Sequence, residues 1–130
     1  MIDFLGHYLL VGVLFAAIDS IWIGVVANKF YKKQMGALLL DKPKFVPAII
    51  FYLINIAGMV IFVVNPALGA DSWTYALGHG ALLGLVGYAT YDLTNASTLK
   101  GWPKLVTIVD MTWGTVVTAA VCTAAYLILT

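Results

Sequence analysis

Four stretches of about twenty residues with very few charged side chains, joined by short segments that hold the lysines, set the terms for anything this chain can fold into. A helix needs about 20 apolar residues to cross the hydrocarbon core of a bilayer. The first such stretch covers residues 4–27, the second 45–64, the third 73–93 and the fourth 103–129. The third is the least hydrophobic. Pro47 is tolerable in the first turn of its helix, and Pro103 suits the first helical position of the fourth. The expected fold is all-α, a single four-transmembrane-helix bundle over residues 1–130.

Composition closes off the soluble alternative. A soluble domain needs roughly a quarter of its residues charged, whereas this chain has 10% charged and 62% hydrophobic residues and a mean hydropathy of +0.98. Lipid is therefore the expected solvent, and membrane lipids are the first expected partner. All seven basic residues are lysines and all six acidic ones are aspartates. A chain without arginine is poorly suited to bidentate phosphate or nucleic-acid recognition, so no nucleic-acid partner is expected. Cys122, the one cysteine, cannot form an internal disulfide and reads as packing. The start, Met1-Ile2-Asp3-Phe4, lacks the positive region of a secretory signal and reads as part of a retained helix.

The lysines also orient the chain. Lys29, Lys32, Lys33, Lys42 and Lys44 fall in the first connection and Lys100 and Lys104 in the third, with none in the second or in either tail. With four spans, these two connections share a side, which the positive-inside rule makes cytoplasmic. Both termini are then outside. Tyr8, Trp73, Tyr75 and Tyr126 fall near the outer boundary and Tyr31 and Trp102 near the inner one, as in an interfacial aromatic belt. Residues 28–40 mix Phe30, Tyr31, Met35 and Leu38 to Leu40 with three lysines; a short interfacial helix and an ordinary basic loop are both open readings. Ala76, Gly80 and Gly84 recur every four residues in the third span, a spacing that lets two helices approach closely. An internal seam is the first reading of that stripe, and a homodimer interface is the second.

Three aspartates, Asp19, Asp92 and Asp110, fall inside or at the ends of apolar spans, where a carboxylate is expensive and marks a functional site by default. Asp19 lies eight residues before the inner end of the first span and Asp110 seven after the start of the fourth. Opposite chain directions therefore put both on the order of 10 Å above the inner boundary. Each begins a D-x-x-W pattern, Asp19 to Trp22 and Asp110 to Trp113, whose i,i+3 spacing sets acid and indole on one face. Tyr88, Tyr91, Asp92 and Asn95 share a face by the same rule, and the second span adds Tyr52 and Asn55. These ten residues form the candidate ligand-binding set, one polar layer in the cytoplasmic half. Asp92 could instead sit at the interface near a helix terminus. No lysine falls within a span, which leaves three outcomes: protonated acids bonded to hydroxyls or indoles, a bound cation, or a water-filled pocket. A buried network that merely ties the helices together is the competing structural reading. His7 and His79 form a weaker polar pair toward the outer side. Phosphate-binding, metal-binding and nucleophile motifs are missing, so no catalytic residue, metal or cofactor is assigned.

With Asp19-x-x-Trp22, Thr90-Tyr91-Asp92-Leu93-Thr94-Asn95, Trp102-Pro103 and Asp110-x-x-Trp113-Gly114, the chain resembles a family of small bacterial membrane proteins, domain of unknown function 2177. The resemblance covers nearly the whole chain, and the Thr90–Asn95 string is its most specific element. It implies a bacterial inner-membrane location and carries over no activity. The expected role is binding or transport of a proton, a cation or an amphipathic small molecule. An accessory protein or enzyme in membrane-lipid modification, with two carboxylates dividing acid and base work, and a structural or assembly protein are the alternatives.

Overall fold

The computed structural model describes residues 2–36, 39 and 44–130; Leu38, Leu40 and Lys42 of the first lysine-rich connection lie outside them. Every regular element among the described residues is helical. Helix α1 (Ile2–Trp22) passes through a π-helical turn at Ile23–Ala27 into α2 (Asn28–Met35), making one continuous rod. Helix α3 (Phe45–Met59) passes through a second π-turn at Val60–Val64 into α4 (Asn65–Ala70). Helices α5 (Trp73–Thr98) and α6 (Lys104–Leu129) complete the bundle. In a medium without water a helix satisfies its backbone groups internally, so the apolar runs settle into long uninterrupted rods.

The rods overrun the sequence-based boundaries. Asn28–Met35 is helical but extends α1 instead of forming a separate element. The segment expected as the second loop, 65–72, is mostly helix, leaving only Asp71 and Ser72 as a turn. Pro66 sits in the first turn of α4, directly after the π-turn, where the hydrogen-bond ladder is already changing register and a missing N–H is best tolerated. Asp71 takes a left-handed conformation (φ 50°), which aspartate tolerates better than most residues. Ser72 caps α5 by accepting the Tyr75 N–H at 3.1 Å, and the Tyr126 hydroxyl of α6 donates to Asp71 at 3.1 Å. At the opposite end α5 continues to Thr98, so Asp92 lies inside the helix and not at its terminus. Pro103 is the extended residue before α6 and not its first helical one.

Three of the rods, Asp3–Met35, Phe45–Ala70 and Lys104–Leu129, are long and apolar enough to cross a membrane. The expectation of four such spans is thus met for three. Helix α5 matches the second and third of these in length at 26 residues but falls short in apolarity, because His79, Thr90, Asp92, Thr94, Asn95 and Thr98 dilute it.

The core forms where α1, α3, its π-turn and α6 converge: Val11 and Phe15, Ile56 and Met59, Val60, Val63 and Val64, and Val117, Val121, Cys122 and Ala125. Helix α5 joins differently, by backbone approach along its small residues. A methyl group added to Gly80 would lie 3.1 Å from the Ala119 Cα, and one on Gly84 only 2.0 Å from the Gly114 carbonyl oxygen. From the other side, a Cβ on Gly114 would lie 2.1 Å from the Tyr88 ring. Ala76 is fully buried on the same ridge. The four-residue stripe is therefore an internal seam between α5 and α6.

Gly84→Ala should destabilise the bundle by at least the ~1–3 kcal/mol of ordinary overpacking, since backbone and not a flexible side chain is in the way. Gly87, with open space around it, should accept alanine neutrally or gain up to ~1 kcal/mol of helix propensity. Unfolding of both variants in detergent, followed by circular dichroism, separates the two positions.

Candidate functional site

The two D-x-x-W patterns meet in space. Asp19 is 7% exposed, and both of its carboxylate oxygens are occupied. Oδ1 accepts the Trp113 Nε1–H of α6 at 3.1 Å, and Oδ2 accepts the Tyr52 hydroxyl of α3 in a very short hydrogen bond. The Tyr52 ring is set edge-on to Phe15 at 5.4 Å, which fixes the direction of its hydroxyl. Trp22 lies flat on Trp113, with centroids 4.3 Å apart and planes 7° from parallel. The i,i+3 spacing that puts acid and indole on one face of each helix thus becomes a tertiary joint. One indole stacks, and the other both stacks and donates to the opposite helix's carboxylate.

Asp110, also 7% exposed, accepts a hydrogen bond from the Tyr31 hydroxyl. Its neighbour one turn on, Trp113, is the donor to Asp19, so the two acids are tied to adjacent turns of α6. Sequence reasoning placed Tyr31 in the interfacial belt and missed this role. Twelve residues separate Tyr31 from Asp19; in a straight α-helix they would lie about 120° apart. The π-turn at Ile23–Ala27 absorbs one residue, and the same separation then behaves like eleven, bringing Tyr31 to within about 20° of the Asp19 face.

Helix α5 supplies the third acid. Ala76, Gly80, Gly84, Tyr88 and Asp92 follow one four-residue ridge, which the glycine seam presses against α6. Asp92 is fully buried, and neither of its carboxylate oxygens has a hydrogen-bond partner among the described residues. Tyr88 is packed on the α6 backbone at Gly114, one helical turn from Asp92 on the same ridge. Helices α1, α3, α5 and α6 each contribute to this cluster.

The remaining members of the candidate set stand apart from it. Tyr91 is 55% exposed and meets Trp102 edge-on at 5.9 Å; the Trp102 indole in turn donates to Thr107 at 3.0 Å. Asn95 is only partly buried. The Asn55 amide is directed along its own helix at the Met59 sulfur, 3.8 Å away. The two histidines have separate partners. His7 Nδ1 lies 2.7 Å from Asn65 Oδ1, while His79 stacks on Tyr75 at 3.7 Å and its Nδ1 lies 3.2 Å from the Tyr75 carbonyl oxygen. Among the described residues no group of three or more histidine, cysteine or acidic side chains is arranged to hold a metal ion.

Removing a donor from a buried acceptor should cost about 1–3 kcal/mol. Trp113→Phe and Tyr52→Phe are each expected to lower stability by that amount, and the double variant by less than the sum, because both act on one carboxylate. Tyr31→Phe should instead loosen α2 alone, read as faster amide hydrogen exchange over 28–35 with exchange in α5 unchanged.

The sequence pattern of a family described as "predicted membrane protein (DUF2177)" matches residues 4–127. No curated protein and no solved structure matches the chain. The aspartates, their indole and phenol donors and the glycine seam all fall inside the matched stretch, and with nearly its whole length covered the chain belongs to the DUF2177 family of membrane proteins.

Proposed function

We propose that this is a four-span protein of a bacterial inner membrane, with its lysine-bearing end in the cytoplasm and both termini outside. In this reading it binds or moves a proton, a cation or an amphipathic small molecule at the acidic and aromatic layer around Asp19 and Asp110. One observation carries the proposal. Three carboxylates on three helices are buried, and the donors to Asp19 and Asp110 are neutral hydroxyl and indole groups. The six described lysines are all exposed, although a lysine stem can reach several ångströms along apolar surface. Buried charges in structural roles are ordinarily paired with opposite charge; acids held by neutral partners inside a membrane domain fit ion or proton handling.

The structural reading has one observation in its favour: both oxygens of Asp19 are satisfied within the protein. The two readings differ in what Asp19→Asn does. For ion handling, protein in liposomes should show proton flux, read with a trapped pH-sensitive dye, or bind the lipophilic cation tetraphenylphosphonium in equilibrium dialysis. Asp19→Asn and Asp110→Asn should each abolish that activity in protein that still folds. Wild-type protein inactive in both assays, or variants that retain full activity, would overturn the ion-handling reading.

The topology is tested by single cysteines in a Cys122→Ser background. Lys32→Cys and Lys100→Cys should react with an impermeant maleimide only from the cytoplasmic side, and Asp71→Cys only from outside. If α5 does not span, Asp71→Cys and Lys100→Cys will label from the same side.

A further inference from the structure

The three buried acids are not equivalent. Among the described residues Asp19 has two donors and Asp110 one, whereas Asp92 has none and is the most deeply buried of the three. Its position is imposed by its surroundings. Gly80 meets Ala119 and Gly84 meets Gly114, so the antiparallel stride carries Asp92 to the level of the buried residues Val106, Thr107 and Asp110 on α6. Rotating α5 to release the carboxylate would drive side chains into a contact that has no room for a methyl group. The helix cannot turn Asp92 outward without giving up its seam.

An orphaned buried carboxyl can be satisfied by a metal ion, by a molecule with donors, or by a proton. A metal ion needs several ligands, and no such group occurs among the described residues. A molecule needs space. One cleft of about 370 Å³ is lined by Ser72 and residues 74–82 of α5 and another of about 240 Å³ by the Trp22–Trp113 region, and neither touches Asp92. A proton needs neither. One helical turn away on the same ridge lies Tyr88, packed against the α6 backbone at Gly114.

We propose that Asp92 is the proton-exchanging carboxyl of this domain, with the Tyr88 hydroxyl, one turn away on the same ridge, as its exchange partner. The inference deepens the functional reading above and rests on the proton being the ion that is handled. In the step, a proton from the cytoplasmic side adds to the Asp92 carboxylate. On deprotonation the Tyr88 oxygen accepts the Asp92 proton while its hydroxyl releases another to water, so tyrosine ends unchanged. The titratable groups around Asp92 are Tyr88 and Tyr91 on its own helix, Asp110 on α6, Tyr31 of α2 through Asp110, Asp19 on α1 and Tyr52 on α3. The six described lysines are all exposed.

Infrared difference spectra of the protein in lipid films, recorded between acidic and alkaline pH, test this directly. A carboxylic-acid carbonyl band should appear on acidification, vanish in Asp92→Asn and persist in Asp71→Asn, an exposed control. Tyr88→Phe should keep the band but slow its deuterium exchange by about tenfold or more. A band unaltered in Asp92→Asn would overturn the proposal, as would the absence of any pH-dependent band in the wild type. If Asp92→Asn does not fold, Asp92→Glu is used: a moved band supports the assignment and an unmoved one overturns it. Loss of the band in Asp92→Asn without wild-type flux in liposomes removes only the transport reading. Flux without an Asp92 band removes only this assignment.

Discussion

Helices α5 and α6 touch through backbone at Gly84 and Gly114, and much of the molecule's geometry is a consequence of that approach. Lipid tails are as apolar as leucine side chains, so helices in a bilayer gain little from hiding apolar surface on one another; close packing and hydrogen bonds have to hold them. Helix α5 has few large side chains directed at α6. What holds it is proximity, which only glycine at both positions permits. The same contact fixes the rotation of α5 about its axis, and with it the direction of every residue at a four-residue stride. Tyr88 is set on the Gly114 backbone and Asp92 is driven inward because of it.

The π-turns work on the other two rods in a comparable way. A π-turn inserts one residue without ending the helix, changing which residues share a face on either side of it. Below the first, Tyr31 swings onto the face that carries Asp19 and reaches Asp110. At the second, the packed residues Val60, Val63 and Val64 lie just before Pro66, and the helix continues to Ala70 where a proline would ordinarily end or kink it. Each turn is thus a phase correction that brings the two ends of a long rod into register with different neighbours.

Which features can be read from the residues alone follows from this. The helices are legible, because apolar length and lysine placement are local properties, and so are the Asp19–Trp22 and Asp110–Trp113 faces, which depend only on i,i+3 geometry. The Ala76–Gly80–Gly84 stripe is legible for the same reason. Tyr31 is not, since its face is set by a π-turn that no local pattern announces. The helical continuation through Asn65–Ala70 and through Asn95–Thr98 is hidden by polar and proline residues that usually signal a loop. Tyr91 shows the limit of a face argument: it sits next to Asp92 in sequence, yet it faces outward to Trp102 while Asp92 is enclosed. Whether an acid finds a partner depends on neighbouring helices, so the difference between Asp19 and Asp92 could not be read from spacing.

The choice of donors matters more than their number. A lysine beside a buried carboxylate would favour the anion and resist any change of state. An indole N–H can only donate, so at Asp19 it requires Oδ1 to remain an acceptor, while the tyrosine hydroxyl on Oδ2 can either donate or accept. Asp19 can therefore hold a proton on one oxygen only, the one shared with Tyr52. Asp110, met by tyrosine alone, is less constrained, and Asp92 is constrained by no donor at all. The series runs from a carboxyl whose hydrogen bonds are assigned on both oxygens to one whose state is decided by what reaches it from outside. A purely structural network would be expected to spread its donors evenly over its acids. The uneven distribution across three buried aspartates is better matched to a site in which one member changes state and the others hold the frame around it.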